Sequence, residues 1–536
     1  MHHLQHITEL GPLVKRFGAR HVILAPGSRN APLIQLFTSD QSYCCHSVVD
    51  ERSAAYVALG MARQLNEPVL VVTTSGTAVM NLSPAVAEAF QQEIPLLVLT
   101  ADRPREILSQ FNNQVCDQRA PYFNYSKGFF EFPSQLREEQ ELESAMLDVE
   151  QLFQEALAYP AGPVHINLPL LEPLYEPLPS SMLTGSNIPS DPDSRVSGTA
   201  SAPDFDLAGR KVLILAGMGQ GEAPLQEVLE KLVLHSRTVV VAENISNLSS
   251  EHFISTPELV LSGASAEERV ALAPDLVIAF GQQVVSKRMK LFVQSLESAE
   301  LMELEGNPVR HALLSKLANL AEPENSFLNL WKEIEEREHK RAADYLQMAP
   351  FGNLTAVARL LAAVPPSTVV HLGNSITIRN SQLLPVRTDL EYYSNRGTSG
   401  IDGSLSAAVG AALVSDQLHL LVLGDLSFVY DSNGMWNKDF PENLKIVVLN
   451  DGGGGIFRLL QGPDRMSFFE EFSVTQHPVS LELLSGAFGR SFGRATNYPE
   501  LERRTEALFA SGTGLSVLEV DTTASENSRI FKEFFS

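Results

Sequence analysis

Cysteine is scarce in this sequence of 536 residues, which contains three. Cys44, Cys45 and Cys116 form no Cys-x-x-Cys pair, and their number is odd. Both facts argue against a structural zinc site and against a disulfide framework, and they favour a reducing compartment. We therefore expect a cytoplasmic location.

Positive charge and long hydrophobic runs are also in short supply. Lys and Arg number 40 against 64 Asp and Glu, a formal charge of −24, so nucleic acid is not an expected partner. The charge-free apolar stretch 403–415 is too short to span a bilayer. The N-terminal residues lack a basic region leading into an apolar core, so neither a membrane span nor a signal peptide is expected.

The chain does contain the alternation of short β-branched runs with longer helical stretches that is typical of parallel α/β domains. Its length suggests three or four domains at roughly 150 residues each. The segment 178–206 is crowded with Pro, Ser, Gly and Asp, which is typical of a linker. We predict a first domain over 1–180, a linker over 181–206, a middle domain over 207–348 and a third domain over 349–536.

The first and third domains look like copies of one another. SAAYVALG (53–60) matches SAAVGAAL (406–413), and LVVTTSG (70–76) matches LVLGDLS (421–427). Two further pairs, APGSRN with LGNSITIRN and PLLVLTAD with KIVVLNDG, follow at nearly the same offset. Four matches in order indicate an internal duplication. The predicted fold class is therefore α/β, with three doubly wound parallel-sheet domains of which the first and third are duplicates.

The third domain has the most specific pair of motifs. One predicted strand ends in GDLS (424–427), and the next ends in NDGGGG (450–455). Neighbouring parallel strands present their carboxyl-end loops to one crevice, so Asp425 and an oxygen of Asn450 or Asp451 are expected to hold one hard divalent cation. The backbone that opens the following helix would face a phosphate. Either motif alone is more typical of an ordinary strand-to-helix turn.

This pair of motifs resembles the GDG…NN signature of thiamine-diphosphate enzymes, in which Mg²⁺ or Mn²⁺ holds the diphosphate. The resemblance implies a pyrimidine-binding first domain and a diphosphate-binding third domain. It also implies a homodimer or homotetramer, with each cofactor between the first domain of one chain and the third domain of another. The family requires one catalytic glutamate that opens a helix in the first domain, and VVDERSAAYVALG (48–60) supplies Glu51. Its carboxylate would favour the imino tautomer of the pyrimidine, which deprotonates the thiazolium.

A closer resemblance covers essentially the whole chain and is weakest in the middle domain. The motifs APGSRNAPL, DERSAAYVALG, LTADRP, GPVHINLP, SNRGTSGIDG, GDLS and GGIF occur in order. Together they resemble the 2-succinyl-5-enolpyruvyl-6-hydroxy-3-cyclohexene-1-carboxylate synthases of menaquinone biosynthesis. Such an enzyme would join decarboxylated 2-oxoglutarate to isochorismate by 1,4-addition.

Both of these substrates are dicarboxylates, which suits arginine because its planar fork binds a carboxylate with two hydrogen bonds. Arg29, Arg103, Arg379 and Arg396 all fall at or just after predicted strand ends. The resemblance implies substrate contacts at Ser28, Arg29, Arg103, Gln114, Lys287, Arg288, Ser375, Arg379, Arg396 and Phe457. It implies cofactor contacts at Glu51, Ile401, Gly424, Asp425, Leu426, Ser427, Gly453 and Ile456, with Ile401 wedged beneath the thiazolium, and metal ligands at Asp425, Asp451 and Gly453.

The sequence departs from the family pattern at two points. The second side-chain metal ligand is commonly Asn, whereas Asp451 stands there and Asn450 precedes it, so either residue is a candidate. The run FNNQV replaces the usual small residue before Asn-Gln, which affects the placement of Gln114. No histidine has an assigned role.

Two other functions remain open from the residues alone. One is a thiamine-diphosphate carboligase or 2-oxo acid decarboxylase of the acetolactate-synthase type, which would need a pocket for a small oxo acid. The other is a catalytically silent nucleotide-binding regulatory protein. The presence of both Glu51 and Asp425 argues against the second.

Overall fold

The computed structural model describes residues 4–107, 113–178, 209–304, 325–459, 462, 465–510 and 514–536. All of the predicted site residues belong to these ranges, and the predicted linker at 181–206 lies outside them. The described residues form three sheets, and every strand pair in them is parallel.

The first sheet has six strands in the order β2-β1-β3-β4-β6-β5. Its central strands are apolar runs buried along their whole length, as expected for strands covered by helices on both faces. The strands are β1 His21–Leu24, β2 Cys44–Ser47, β3 Val69–Thr73, β4 Leu96–Asp102, β5 Gly128–Glu131 and β6 Val164–Pro169. The helices are α1 Gln5–Arg16, α2 Ala31–Ser39, α3 Glu51–Leu65, α4 Thr77–Asn81, α5 Ser83–Gln91 and α6 Glu139–Leu157.

The middle sheet has four strands in the order β10-β9-β7-β8. The strands are β7 Val212–Ala216, β8 Thr238–Ala242, β9 Leu276–Phe280 and β10 Glu300–Leu304. The helices are α7 Ala223–His235, α8 Pro257–Gly263, α9 Ala266–Ala271, α10 Lys287–Gln294 and α11 Ser326–Met348. Trp331 of α11 is fully buried in the hydrophobic core of this sheet.

The third sheet has six strands in the order β12-β11-β13-β14-β16-β15. The strands are β11 Val369–Leu372, β12 Glu391–Tyr393, β13 His419–Gly424, β14 Leu444–Asn450, β15 Phe492–Ala495 and β16 Val517–Asp521. The helices are α12 Asn353–Ala363, α13 Ile376–Ser381, α14 Ser404–Leu413, α15 Asp425–Tyr430, α16 Leu481–Ala487, α17 Tyr498–Phe509 and α18 Asn527–Glu533.

The third sheet repeats the strand order of the first, with each strand number raised by ten. A shared order of six strands is the structural counterpart of the four sequence matches. The predicted fold class, with its internal duplication, is confirmed. Among the described residues, no helix is both long enough and apolar enough to cross a membrane.

The chain divides into two compact units that do not follow the sheets alone. The first unit is Met1–Val196 with Gly397–Asp416 and Tyr430–Asn443. The second unit is Ser197–Arg396 with Gln417–Val429 and Leu444–Ser536. Helix α14 therefore belongs to the first unit, whereas β13 and β14 belong to the second. The predicted domain limits stay a prediction.

Candidate active site

Glu51 is the first residue of α3, and its local structure is set by the residue before it. The Asp50 carboxylate caps the helix by accepting the backbone N–H groups of Arg52 at 2.9 Å and Ser53 at 3.3 Å. Glu51 is half-buried, and this burial raises the pKa of its carboxyl. A raised pKa makes this carboxyl easier to protonate than an exposed glutamate, which suits a group that exchanges a proton with a ligand.

The start of α3 is tied to the segment 430–433 of the same unit. Asn433 Nδ2 donates to Asp50 Oδ2 at 2.6 Å. Arg52 donates to the carbonyl of Tyr430 at 2.8 Å, and its guanidinium lies 4.7 Å from the centre of the Tyr430 ring. These contacts fix the turn that presents Glu51.

Helix α3 packs against α14 at two glycines. A Cβ on Gly60 would lie 1.9 Å from the carbonyl oxygen of Ala407, and a Cβ on Gly410 would lie 2.0 Å from the carbonyl oxygen of Val57. Since real Cβ atoms do not approach so closely, both positions require glycine for the two backbones to touch. The arrangement is reciprocal, because each helix supplies one glycine to the other.

The segment between Gly397 and α14 carries Ile401, and a buried carboxylate holds its beginning. Glu88 of α5 is fully buried and accepts the N–H groups of Gly397 at 2.8 Å and Thr398 at 2.7 Å. It also accepts the Thr398 hydroxyl at 2.5 Å. The Ile401 side chain itself is 36% exposed. This role of Glu88 is not evident from the sequence, where it looks like an ordinary helical residue.

The end of that segment is fixed to α3 directly. The Tyr56 hydroxyl donates to Asp402 Oδ2 at 3.0 Å. A Cβ on Gly403 would lie 2.3 Å from the Tyr56 ring, so only glycine lets the chain pass there. Ile401 and the helix that begins with Glu51 are thus parts of one tightly packed structure.

Three of the predicted substrate residues meet at the carboxyl edge of the first sheet. Arg103, directly after β4, donates to Ser75 Oγ and to the carbonyl of Gln114, both at 3.1 Å. Gln114 in turn donates from Nε2 to the carbonyl of Ser75 at 3.1 Å. Burial and the nearby charge of Arg29 lower the pKa of Arg103, so the two guanidinium groups are close neighbours. Ser75, which the sequence did not single out, links Arg103 to Gln114.

Arg29 is anchored more deeply. It is buried, and it donates to the carbonyl of Leu170 at 3.1 Å and to the exposed carboxylate of Glu172 at 3.2 Å. Ser28 beside it is exposed. This edge therefore presents two arginines, and one of them, Arg29, forms an ion pair with Glu172.

Asp425 lies at the carboxyl end of β13 in the second unit and is almost completely buried. Its Oδ1 accepts the N–H of Leu426 at 2.8 Å, and its Oδ2 accepts the N–H of Gly453 at 2.8 Å. His477 Nε2 lies 3.2 Å from the same Oδ2. The loops after two neighbouring strands are therefore joined through this carboxylate. This contact of His477 could not be inferred from the sequence, because His477 lies 52 positions after Asp425.

Asp451 supplies a second, largely buried carboxylate to the same place. Burial and the charge of Asp425 raise the pKa of Asp451 to about 7, and burial also raises the pKa of Asp425. Asn353 Nδ2 donates to Asp451 Oδ2 at 3.0 Å. Two buried acidic groups that oppose each other's ionisation are a donor set that suits a hard divalent cation. No cluster of three or more His, Cys, Asp or Glu side chains suited to a metal occurs in the described residues, so backbone oxygen or phosphate would have to complete the shell.

Asn450, the alternative ligand, has both side-chain atoms engaged elsewhere. Its Nδ2 donates to Glu519 at 2.6 Å, and its Oδ1 accepts the N–H of Gly452 at 3.0 Å. This geometry favours Asp451 over Asn450. The Gly453 carbonyl accepts the N–H of Gly455 at 3.0 Å, which leaves it a second lone pair.

The surroundings leave room for a phosphorylated group. A Cβ added at Gly424 would meet nothing within 4 Å, so the backbone there borders open space. A cavity of about 830 Å³ lies at the end of the neighbouring strand β14, with Ile376, Asp451, Gly452, Gly455, Arg458 and His477 in its wall. Leu426 and Ser427 follow Asp425 on α15, and Ile456 and Phe457 lie in the short helix Gly455–Leu459. Phe457 is 38% exposed.

Ser375 and Arg379 form the turn after β11. Ser375 has φ 74° and ψ −127°, a conformation that is strained for a residue with a Cβ. Arg379 Nη1 donates to the carbonyl of Ser375 at 2.6 Å. Arg396, which follows β12, is buried and donates to Asn374 Oδ1 at 3.2 Å. The structure thus brings both predicted arginines of this sheet to the same turn.

Lys287 and Arg288 begin helix α10 of the middle sheet. Both are exposed, and Arg288 forms an ion pair with Glu258 at 3.1 Å. Burial lowers the pKa of Arg379, and the charge of Glu258 partly offsets this effect. Glu258 is therefore near both Arg288 and Arg379. The start of α10 accordingly lies close to α13.

Comparisons with known proteins agree with this geometry. Residues 12–120 match the model of the thiamine pyrophosphate enzyme N-terminal TPP binding domain, and residues 375–520 match that of the C-terminal TPP binding domain. A 2-succinyl-5-enolpyruvyl-6-hydroxy-3-cyclohexene-1-carboxylate synthase from Desulfotalea psychrophila is 38% identical over 535 residues, covering 96% of this chain and 98% of that protein. The chain belongs to this synthase family.

Other members of the synthase family are almost as similar. The synthase from Flavobacterium johnsoniae is 33% identical, over 97% of this chain and 96% of its own. That from Cytophaga hutchinsonii is 33% identical, over 99% and 98%. Among solved structures, benzoylformate decarboxylase from Polynucleobacter necessarius has a TM-score of 0.70 at 17% identity, covering 97% of this chain and 98% of that chain, which shows a shared fold. This chain is a thiamine-diphosphate-dependent enzyme of the transferase class, as its resemblance predicted.

Proposed function

We propose that this enzyme decarboxylates 2-oxoglutarate and joins the remaining succinyl-semialdehyde unit to isochorismate by 1,4-addition. The product is 2-succinyl-5-enolpyruvyl-6-hydroxy-3-cyclohexene-1-carboxylate, and CO₂ is released. The observation that carries the proposal is the full-length similarity to synthases named for this product. The arginines at the carboxyl edges of two sheets agree with it, because both substrates are dicarboxylates.

Thiamine diphosphate, when bound, supplies the nucleophilic carbon and accepts the electrons released when CO₂ leaves. Asp425, Asp451 and the Gly453 carbonyl would hold Mg²⁺ or Mn²⁺ against its diphosphate. The backbone from Gly424 to Ser427 would lie alongside the phosphates, with Ile456 nearby. The two opposed, buried carboxylates support this assignment.

Glu51 would act on the pyrimidine, and Ile401 would support the thiazolium ring. The raised pKa of Glu51 fits a group that shares a proton with a ring nitrogen. The substrates would be bound by the residues named above at the two sheet edges and on α10: Ser28, Arg29, Arg103, Gln114, Lys287, Arg288, Ser375, Arg379, Arg396 and Phe457. Each guanidinium would orient one carboxylate group, so that the oxo carbon and the ring carbon meet.

The test is a reaction with both substrates present. Purified enzyme with Mg²⁺ and thiamine diphosphate should release CO₂ from 2-oxoglutarate and form the adduct only when isochorismate is added. A clear preference for pyruvate over 2-oxoglutarate would favour the acetolactate-synthase type instead. If calorimetry detects no binding of thiamine diphosphate in the presence of Mg²⁺, the alternative of a catalytically silent regulatory protein would be favoured.

We also propose a homodimer or homotetramer in the cytoplasm, with the domain limits predicted above. The assembly follows from a cofactor shared between the first domain of one chain and the third domain of another. Light scattering after gel filtration would measure it, and an active monomer would contradict it.

A further inference from the structure

Glu243 is a buried carboxylate with no place in the roles assigned so far. It directly follows β8, and only 1% of it is exposed. Its two oxygens accept the N–H groups of Val285 at 2.5 Å and Ser286 at 2.7 Å. Those residues form the turn that leads into α10, which begins with Lys287. A buried carboxylate is costly, so one that binds two consecutive backbone groups fixes that turn firmly.

A second carboxylate holds the same turn from the other side. Glu258 accepts the Ser286 hydroxyl at 2.6 Å and the N–H of Arg288 at 3.1 Å, in addition to its ion pair with the Arg288 side chain. Ser286 Oγ also caps α10 by accepting the N–H of Met289 at 3.0 Å. The direction in which Lys287 and Arg288 leave the backbone is therefore set by these two acids.

The residues immediately after Glu243 connect the same loop to the third sheet. Asn244 Nδ2 donates to Ser381 Oγ at 3.2 Å, and Gln382 donates to Asn244 Oδ1. Ser381 is the last residue of α13, the helix that carries Arg379. The loop is thus bonded to the end of that helix.

Asn247 makes the corresponding link to the strand that precedes Arg396. Its Nδ2 donates to the carbonyl of Tyr392 at 2.9 Å, and its Oδ1 accepts the Tyr392 N–H at 2.8 Å. Ile245, between these links, is fully buried in the hydrophobic cluster of the third sheet together with Val285. The segment 243–247 therefore contacts the turn before α10, the end of α13, and β12, which carry or precede the four candidate substrate cations of the second unit.

The charges on these elements are close enough to act on each other. Burial and the charges of Arg396 and Arg379 lower the pKa of Lys290, one turn along α10, and the charge of Glu243 opposes them. Several cations thus face one place, while Glu243 and Glu258 are occupied by the turn. Such a group of cations is stabilised when a dianion binds among them.

We propose that Glu243 is a positioning residue of the substrate site, which fixes Lys287 and Arg288 relative to Arg379 and Arg396. It touches neither substrate nor cofactor in this role. The inference rests on the proposed function, because it takes these four cations as ligands of the dicarboxylates.

The decisive variant is Glu243→Gln, which keeps the size of the side chain but can offer an acceptor to only one of the two N–H groups. We expect KM for at least one of the two substrates to rise about tenfold, a change that corresponds to about 1.4 kcal/mol of binding free energy. The turnover number at saturation and the affinity for thiamine diphosphate should change less than threefold.

Glu335→Gln is a matched control in the same unit. Glu335 is also buried and also accepts two consecutive backbone N–H groups, of Ser255 at 2.8 Å and Thr256 at 3.0 Å. The Glu335→Gln substitution should lower the melting temperature without changing KM for either substrate. Amide hydrogen exchange at 285–290 in the cofactor-free protein should increase in Glu243→Gln and stay unchanged in Glu335→Gln.

A purely structural role would give equal KM values in the two variants, and that result would overturn the proposal. If Glu243→Gln does not fold, Asn247→Gly provides the second test, because glycine tolerates the φ of 54° at that position and removes the link to Tyr392. Asn247→Gly should also raise KM for at least one substrate, and an unchanged KM would contradict the proposal. Inactive wild-type enzyme would instead refute the proposed function itself.

Discussion

The first and third sheets share a strand order but carry different residues at the ends of two corresponding pairs of strands. After β3 the chain has Ser75 and Gly76, whereas at the end of the corresponding β13 it has Asp425. After β4 comes Arg103, whereas after β14 comes Asp451. At these positions the first sheet has neutral or positively charged side chains, which suit anionic substrates, and the third sheet has carboxylates, which suit a cation. The comparison teaches that the duplicated fold supplies positions, while the residues at the strand ends decide the chemistry.

The sharpest test of this division removes the one acid assigned to catalysis in the first unit. Glu51→Gln should fold normally and lose turnover by about a thousandfold, within the range expected for loss of an acid–base group. Glu67→Gln, an exposed position two residues beyond the end of the same helix, is the control and should retain full activity. Steady-state rates and circular dichroism would measure both effects. Near-wild-type turnover in Glu51→Gln would remove Glu51 from the mechanism.

The corresponding test in the third sheet changes Asp425, its proposed metal ligand. Asp425→Asn should weaken the Mg²⁺-dependent binding of thiamine diphosphate by about a hundredfold, because a buried charged ligand becomes neutral. Calorimetry at fixed Mg²⁺ measures this change. Asp431→Asn is the comparison, since that buried carboxylate accepts hydrogen bonds from Ser406, away from the proposed metal ligands Asp425 and Asp451. Equal loss in both variants would mean that the charge at Asp425 has no specific role.

Asp431 also gives a pH test of stability. Burial raises the pKa of its carboxyl to about 7, whereas it is about 3.9 in an unfolded chain. The folded state therefore binds a proton more tightly, so this stabilisation is complete below about pH 4 and is lost as the pH rises through about 7. Chemical denaturation should show that the free energies of unfolding of the wild type and Asp431→Asn diverge between about pH 4 and 7, by an amount on the order of a few kcal/mol. An equal pH dependence of the two free energies of unfolding would contradict the raised pKa of Asp431.

The smallest effect concerns the turns after the first strand of each sheet. Ser375→Gly should stabilise the protein by about 1 kcal/mol, because glycine adopts the positive φ without strain, while KM rises as the hydroxyl is lost. Ser28, at the corresponding turn, is not among the positive-φ residues, and Ser28→Gly should give a small destabilisation instead. Chemical denaturation of both variants measures the contrast. A loss of stability in Ser375→Gly would show that the strain is absent.

The fold and the acidic half of the site were largely predictable from the sequence. Buried parallel strands are continuous apolar runs, and the motifs around Asp425 and Asp451 follow strands directly, so their meeting place is set by topology. Glu88, Glu243 and His477 could not be found in this way. Each acts on residues far along the chain, and nothing in its own neighbourhood distinguishes it from a helical or loop residue. The choice between Asn450 and Asp451 likewise needed the hydrogen bonds of Asn450.

The reciprocal glycines of α3 and α14 have a consequence for how this enzyme can change. With the two backbones in contact, neither helix can slide or rotate past the other without a collision. The position of Glu51 relative to α14 is therefore fixed. Variation in substrate preference is therefore expected in the loops after the strands, and almost never at Gly60 or Gly410. An engineer who wishes to alter the reaction should leave that helix pair untouched and work at the strand ends.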